Sequence, residues 1–231
     1  MLPALFLDQD AAAPPPGAAP AHATLQEIAG LLGQPRAIVA ASARWETEIP
    51  ALDAAAAPDF AERASDLLCA AGLRSRLDRA GRRSDAYDRA PLRVLYTENA
   101  GMDVPFVPLS VQPHLGPAHH VQLGRALAPL RAEGVLVLGL GCVAACAEGP
   151  GADAALLNWL DRALAEGRTC DLVTYRARAP GAARQRSAER YLLPLFVAMG
   201  ASNGDATRPL CARRLDTETP GARPTTVWAF G

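Results

Sequence analysis

Hydrophobic positions follow two patterns along the chain: short unbroken apolar runs, and longer segments whose apolar residues share one helical face. The most informative apolar run is residues 36–47, which opens after Pro35 and closes around Arg44, Trp45 and Glu46. A run of this length fits a strand buried on both faces better than an amphipathic helix. Functional groups of open α/β sheets lie just beyond the carboxyl ends of such strands. We therefore expect Arg44 to mark the place of any functional site.

The other apolar segments predict a regular alternation of strands and helices. Further strands are expected at residues 3–7, 104–111, 135–138 and 225–230, and helices at 24–33, 58–71, 117–130, 153–165 and 188–201. Prolines in 104–111 indicate an edge or bulged strand, and residues 139–142 indicate a glycine-rich turn. No repeat or linker interrupts the alternation. The pattern predicts a single α/β domain over residues 1–231, with a mostly parallel or mixed central sheet flanked by helices.

Charge and composition narrow the range of partners. The 231 residues include 23 basic and 24 acidic side chains, for a net charge of −1, so neither nucleic acid nor an anionic membrane is expected as a partner. No apolar run approaches the ~20 residues of a membrane span, and no basic segment precedes the first apolar residues. The five cysteines are odd in number and scattered, which favours reduced thiols. We expect a cytoplasmic protein with a small partner.

Several segments match, in the same order along the chain, the motifs of a known enzyme family. Residues 3–10 take the place of its opening apolar strand, which ends in His-Gly-Ser-Pro, and residues 120–131 and 134–141 resemble a helix and a strand that follow further on. Residues 42–45, Ser-Ala-Arg-Trp, correspond to Ser-Ala-His-Trp, and residues 191–195 correspond to Glu-His-Leu-Leu-Pro-Leu from its histidine onwards. Residues 82–92 match Arg-Gly-Phe-Asp-His-Gly followed by Pro-Leu, residues 104–110 match Ile-Pro-Val-Val-Gln-Leu-Ser, and residues 228–231 match the usual terminus. The chain thus resembles the class III extradiol ring-cleavage dioxygenases of the DOPA 4,5-dioxygenase type. The resemblance implies the α/β fold of the class III extradiol dioxygenases.

The resemblance also implies where the chemistry of that family would lie. Its members use ferrous iron, often replaced by zinc, held mainly by histidines. Here the three ligand positions carry Gln9, Arg44 and Tyr191, and the acid–base histidine is replaced by Ala145. The implied vestigial pocket consists of Gln9, Arg44, Asp85, Ala86, Cys142, Ala145, Arg186 and Tyr191. Relative to the family, the chain is also shortened between residues 47 and 58, which removes part of the expected pocket wall.

These replacements are severe for metal chemistry. Glutamine is a weak ligand, alanine offers no donor atom, and a guanidinium that stays protonated has no lone pair to give a cation. No metal cofactor and no ring-cleavage activity are therefore expected. Our leading hypothesis is a degenerate family member that acts as the structural or regulatory partner of an active homologous subunit.

Two alternatives stay open. The chain could be a binding protein for a small anionic ligand, an aromatic carboxylate or a phosphate, gripped by Arg44 and Arg186 with Arg190 as a third candidate. It could also be an active dioxygenase with a rebuilt site. The competing interpretation of Arg44 is a local ion pair, with Asp8, Asp10 or Asp85 as the acid, because buried charges are normally paired.

Other residues of chemical interest have simpler interpretations. Cys142 and Cys146 could form a replacement metal or thiol site, but two small buried side chains are favoured because cysteine is among the most buried residue types. His119 and His120 point about 100° apart on a helix and cannot both face one ion, so surface or helix-start roles are expected. Trp45 is expected in the core. The arginine-rich residues 175–190 are expected to form a solvated loop.

Overall fold

The computed structural model of the protein describes residues 1–8, 34–81, 104–183, 186–202, 212–216 and 226–231. Eight strands are found within these ranges: β1 Ala4–Asp8, β2 Ala37–Glu46, β3 Ala51–Asp53, β4 Arg76–Asp78, β5 Phe106–Val111, β6 Val135–Gly141, β7 Ala212–Asp216 and β8 Thr226–Phe230. They form one sheet in the order β4-β3-β5-β2-β6-β1-β8-β7. The central strands β5, β2, β6 and β1 are parallel, and β8 and β7 continue the sheet in antiparallel pairing. The predicted mixed sheet is confirmed.

The helices flank this sheet. They are α1 Pro58–Ala70, α2 Gly116–Leu127, α3 Pro129–Ala132, α4 Ala152–Ala165, α5 Thr169–Val173, α6 Tyr175–Arg178, α7 Arg186–Glu189 and α8 Leu193–Ser202, with short 3-10 helices at Pro113–Leu115 and Ala144–Cys146. The helices predicted over 58–71 and 153–165 are confirmed, and the one predicted over 117–130 is divided into α2 and α3 after Leu127. The helix predicted at 24–33 lies outside the described residues. Within the described ranges, no helix combines the length and the apolar character needed to cross a membrane.

Strand β2 is buried on both faces of the sheet, as its unbroken apolar run predicted. On one face, Val39 and Ala41 of β2 pack in the main core with the completely buried helix α8. On the other face, Ile38 and Ala40 join a second core cluster whose eight buried members are only 0–4% exposed. The sheet and its helices form one α/β domain.

Strand β5 is an interior strand, so of the two predicted alternatives the edge position is wrong, whereas its pairing with β2 does contain a bulge, with the extra residues on β2. It pairs with β2 on one side and with β3 on the other, although the β3 ladder is reduced to the pair Leu52 and Leu109. The N–H of Ile38 donates to the carbonyl of Pro105, and alternation along the parallel ladder then turns the nitrogen of Pro108 towards β3. Proline is tolerated there because the missing donor falls on the side with the sparse ladder.

The predicted glycine-rich turn at 139–142 is also wrong, because β6 continues through Gly141. A Cβ atom at Gly139 would overlap the carbonyl of Pro194, and one at Gly141 would overlap the carbonyl of Tyr191. The glycines are therefore required for close approach of the chain around the start of α8, rather than for a turn. This contact brings Tyr191 directly against the end of β6.

The arginine-rich segment 175–190 is more structured than the expected solvated loop. It contains α6 and α7, and its first residue, Tyr175, is buried. Arg176 forms an ion pair with the buried carboxylate of Glu189 at 3.2 Å. The helix expected over 188–201 is divided, because α7 ends at Glu189 and α8 begins at Leu193. Pro194 accordingly lies in the first turn of α8, where proline is tolerated because its missing N–H would have no partner within the helix.

Candidate functional site

Three parallel strands end together at the carboxyl edge of the sheet. Asp8 at the end of β1 pairs in register with Gly141 at the end of β6, and Ser42 of β2 pairs with Leu140. The residues that follow these positions therefore lie at one edge, where open α/β sheets place their binding groups. This edge carries Arg44 on β2 and Cys142 after β6.

A bulge in β2 determines how Arg44 is presented. Against β5, Ser42 pairs with Ser110 and the next pair is Glu46 with Val111, so three residues of β2 have no register partner on β5. The backbone N–H of Arg44 donates to the hydroxyl of Ser42 at 3.2 Å, and the Arg44 side chain is exposed. Bulges commonly redirect side chains near functional sites. Trp45, the next residue of the bulge, is buried as predicted.

The end of β1 organises the loop after β6. A carboxylate oxygen of Asp8 accepts a hydrogen bond from the backbone N–H of Val143 at 2.7 Å. Val143 precedes the 3-10 helix Ala144–Cys146, which contains the partly buried Ala145. Asp8 thus holds the loop that carries Ala145, the residue expected from the resemblance at the position of an acid–base histidine.

Tyr191 lies at the same edge and is anchored through its backbone. Its carbonyl accepts a hydrogen bond from the N–H of Cys142 at 2.9 Å, next to the close approach at Gly141. Its hydroxyl oxygen accepts a hydrogen bond from Nη2 of Arg190 at 2.8 Å. The structure therefore brings Tyr191 to the edge on which Asp8 and Arg44 lie.

An ion pair that sequence reasoning missed connects Tyr191 to β2. Nη1 of Arg190 lies 2.6 Å from a carboxylate oxygen of Glu46, and the Arg190 guanidinium carbon lies 4.7 Å from the centre of the Tyr191 ring. The hydrogen bonds to Tyr191 and to Glu46 raise the pKa of Arg190. The one signal available in the sequence was the alternation of side chains along a strand, which predicts that Glu46, two residues after Arg44, lies on the same face of β2 as Arg44. Nothing in the sequence indicated the partner, 144 residues away.

Two curated plant proteins are similar to this chain over most of its length. The "4,5-DOPA dioxygenase extradiol" of Beta vulgaris is 32% identical over 209 residues, which cover 77% of this chain and 77% of the relative. The protein of the same name from Portulaca grandiflora is 33% identical over 222 residues, covering 81% and 80%. The chain belongs to the DOPA-type extradiol dioxygenase family.

A solved structure supports the fold of this family member. An uncharacterized protein from Escherichia coli K12 superimposes with a TM-score of 0.75 over 100% of both chains, at 23% sequence identity. No protein-family model matches the chain. The relatives therefore establish the family, and the solved structure establishes the fold.

Four of the eight residues of the predicted pocket lie among the described side chains. Gln9, Asp85 and Ala86 lie outside the described residues, and so does the side chain of Arg186, which begins α7. The predicted convergence of Arg44 and Arg186 on one anion therefore stays a prediction. The described members of the pocket, namely Arg44, Cys142, Ala145 and Tyr191, belong to segments that meet at the carboxyl edge of the sheet.

The two cysteines after β6 have the character of buried core thiols. Cys142 and Cys146 are 4% and 1% exposed. The Cys146 thiol donates to the carbonyl of Ala188 at 3.1 Å, and burial raises the pKa of this thiol well above its usual range. Reactive thiols have lowered pKa values, so Cys146 is not an activated nucleophile. In the part of the chain that the structure describes, no three His, Cys, Asp or Glu side chains are grouped to bind a metal ion.

The two adjacent histidines of α2 differ in burial. His120 is completely buried, so the expected surface position is wrong for it, although its role at the helix start holds. Its Nδ1 donates to the carbonyl of Gly116 at 2.7 Å, and its Nε2 accepts from the N–H of Gln112 at 3.1 Å. Burial lowers the pKa of His120 to about 4, which keeps the ring neutral near pH 7. His119 is half-buried, and its pKa is also lowered by burial.

Proposed function

We propose that this chain is a degenerate member of the DOPA-type extradiol dioxygenase family that no longer opens catechol rings. The observation that carries the proposal is the set of side chains at the carboxyl edge of the sheet. Arg44 on β2 and Tyr191 beside β6 occupy two positions that the family motifs assign to metal-binding histidines. Ala145 occupies the position assigned to the acid–base histidine.

The donor atoms at this edge do not fit a ferrous ion. Non-haem iron oxygenases hold the metal with neutral imidazoles and a carboxylate. Here the guanidinium of Arg44 has no lone pair to offer, and its positive charge opposes a cation. The Tyr191 hydroxyl oxygen already accepts a hydrogen bond from Arg190. The carboxylate of Glu46 is held by Arg190, and that of Asp8 accepts the N–H of Val143.

The proton-transfer step of the family also lacks its group. Ring opening begins with a catechol that must lose protons, and imidazole is the side chain suited to accept them near neutral pH. Ala145 has no acceptor atom. The buried histidine of α2, His120, has both ring nitrogens engaged in the core by Gly116 and Gln112.

Metal analysis combined with an activity assay tests the proposal. The chain would be purified anaerobically with ferrous iron, its bound metal measured by elemental analysis, and ring opening of L-DOPA followed by absorbance. The Beta vulgaris relative, treated in parallel, is the positive control. We expect substoichiometric iron and no ring opening above the protein-free rate. Stoichiometric iron together with turnover would refute the proposal.

A second candidate function is binding of a small anionic ligand, an aromatic carboxylate or a phosphate. The exposure of Arg44 within the β2 bulge favours it, because this residue lies at the edge where ligands of α/β sheets bind. A role as partner of an active homologous subunit is compatible with the same loss of chemistry. Co-expression with such a subunit and size-exclusion chromatography would test that role.

A further inference from the structure

The carboxyl edge of the sheet contains a cation that the protein itself supplies. The guanidinium of Arg190 donates from Nη1 to Glu46 at 2.6 Å and from Nη2 to the hydroxyl of Tyr191 at 2.8 Å. It also lies 4.7 Å from the centre of the Tyr191 ring. A planar guanidinium suits such a site because its donors are fixed in a fork that can engage two acceptors at once.

This cation joins elements that are distant in the sequence. Glu46 is the last residue of β2, and Arg190 follows α7. Tyr191 is in turn attached to the end of β6, because its carbonyl accepts the N–H of Cys142. The chain of contacts therefore runs from β2 through Arg190 and Tyr191 to the loop after β6. A metal ion held by ligands at position 44 of β2 and at position 191 would likewise connect β2 to the segment that contains residue 191.

We propose that Arg190 is a positioning residue that takes the place of the family's metal ion: it holds the end of β2 against residue 191 and keeps a cation from binding there. This inference rests on the proposed loss of the metal centre. Arg44 contributes a second positive charge at the same edge.

The bridge is expected to act locally. The side chains of Arg190 and Glu46 are 39% and 42% exposed, so water screens their attraction. The exchange rate of a nearby amide is therefore a better measurement than global stability. The N–H of Cys142 is the natural probe, because its hydrogen bond goes to Tyr191 itself.

Amide hydrogen exchange tests the positioning role. We expect Arg190→Gln and Glu46→Gln each to speed exchange at Cys142 about two- to five-fold, and the double variant to match either single one. Arg63→Gln is the matched control, since the Arg63–Glu133 bridge has the same 2.6 Å length and similar exposure, 46% and 35%. If Arg190→Gln exchanges at the rate of the wild type or of the control, the inference is wrong.

Zinc binding tests whether Arg190 keeps a cation out of the site. If Arg190 only held two segments together, its charge would not change the affinity for zinc. The variant Gln9→His/Arg44→His/Tyr191→His would be compared with the same variant carrying Arg190→Gln or Arg190→Lys, by competition with a chromogenic chelator. We expect Arg190→Gln to tighten zinc binding about ten-fold or more, because a like charge next to the ion is removed, and Arg190→Lys to leave it unchanged. The inference would be overturned if the triple variant bound zinc with the same affinity with and without Arg190→Gln. It would also be overturned if neither of these two proteins bound zinc. Circular dichroism verifies that all variants are folded.

Failure of the positioning role of Arg190 can be distinguished from failure of the proposed function. If the wild-type chain carries iron and opens catechols, the proposed function fails whatever the exchange rates are. If the chain is inactive and iron-free but Arg190→Gln changes neither exchange at Cys142 nor zinc affinity, only the positioning role of Arg190 fails. Addition of EDTA is expected to leave exchange at Cys142 in the wild type unchanged. Faster exchange with EDTA would mean that a metal holds the edge, against both proposals.

Discussion

Replacing Gly141 by alanine would test whether the close approach of Tyr191 to β6 holds the candidate site together. A Cβ atom at this position would overlap the Tyr191 carbonyl and press on the ring of Phe6. Neither obstacle is the flexible end of a side chain, so the backbone around residue 191 has to move. That movement also disturbs the hydrogen bond from Cys142 to Tyr191.

The magnitude follows from these two effects. Overpacking of a tight core costs about 1–3 kcal/mol, and a disrupted backbone hydrogen bond adds about 0.5–1.5 kcal/mol, so Gly141→Ala should lose roughly 2–4 kcal/mol of unfolding free energy. For a chain of this size the melting temperature should fall by roughly 4–16 °C. Urea unfolding followed by circular dichroism gives the free energy directly.

A matched substitution separates close approach from turn geometry. Gly72 has a φ of 76°, and a Cβ atom added there would meet nothing within 4 Å, so it is a glycine required by conformation alone. Asparagine tolerates such a φ, and Gly72→Asn should cost less than about 1 kcal/mol. Gly141→Asn should be at least as harmful as Gly141→Ala, because the obstacle is space. If Gly141→Asn were as stable as the wild type, lack of space could not be the reason for glycine at this position, and the close-approach argument would be refuted.

Three further predictions address the core and the edge. The pKa of His120 is about 4 in the folded chain and 6.5 for an ordinary histidine. Between these two pH values the unfolded state binds more protons than the folded state, so the free energy of unfolding must fall as the pH falls. Between pH 7.5 and 5 the free energy of unfolding, measured with urea, should fall by about 2 kcal/mol through this residue, and His120→Gln should not show this loss. If the wild type and His120→Gln had the same dependence of stability on pH, the assignment of His120 as a neutral core residue would be contradicted. Arg131 is buried and donates to the carbonyls of Leu2, Ala201 and Phe230, so Arg131→Met should destabilise by roughly 3–5 kcal/mol in urea unfolding, with partial recovery in Arg131→Lys. For the anion-binding alternative, phosphate or benzoate should raise the melting temperature of the wild type and not of Arg44→Ala; equal shifts would exclude a role for Arg44.

Much of the framework was predictable because burial leaves a local signature. A strand covered on both faces needs an unbroken apolar run, and β2 and β6 both show one. The helices α1, α2 and α4 were predicted within one or two residues at their starts, since proline or glycine marks an end of each. The short strands β3 and β4 gave no signal, because three residues contain too little periodicity to distinguish a strand from a loop.

The motifs also predicted where one residue of the candidate site lies in the fold. Ser-Ala-Arg-Trp placed Arg44 at the end of a strand, and the structure has Arg44 at the carboxyl edge of β2. What the motifs could not supply was the side-chain environment. The sequence could not distinguish a glycine needed for a turn from one needed for close approach, as at Gly141, because both uses select the same residue.

The sequence by itself determined the order of elements, the buried strands and the family, since these depend on local periodicity and on motifs along the chain. Only the tertiary structure decided that β5 is an interior strand, that His120 is a neutral core residue, and that Arg190 reaches Glu46. Each of these depends on residues far apart in the chain. Pairing and burial at such distances are fixed by how the sheet and helices pack, and that information is carried by no single stretch of sequence.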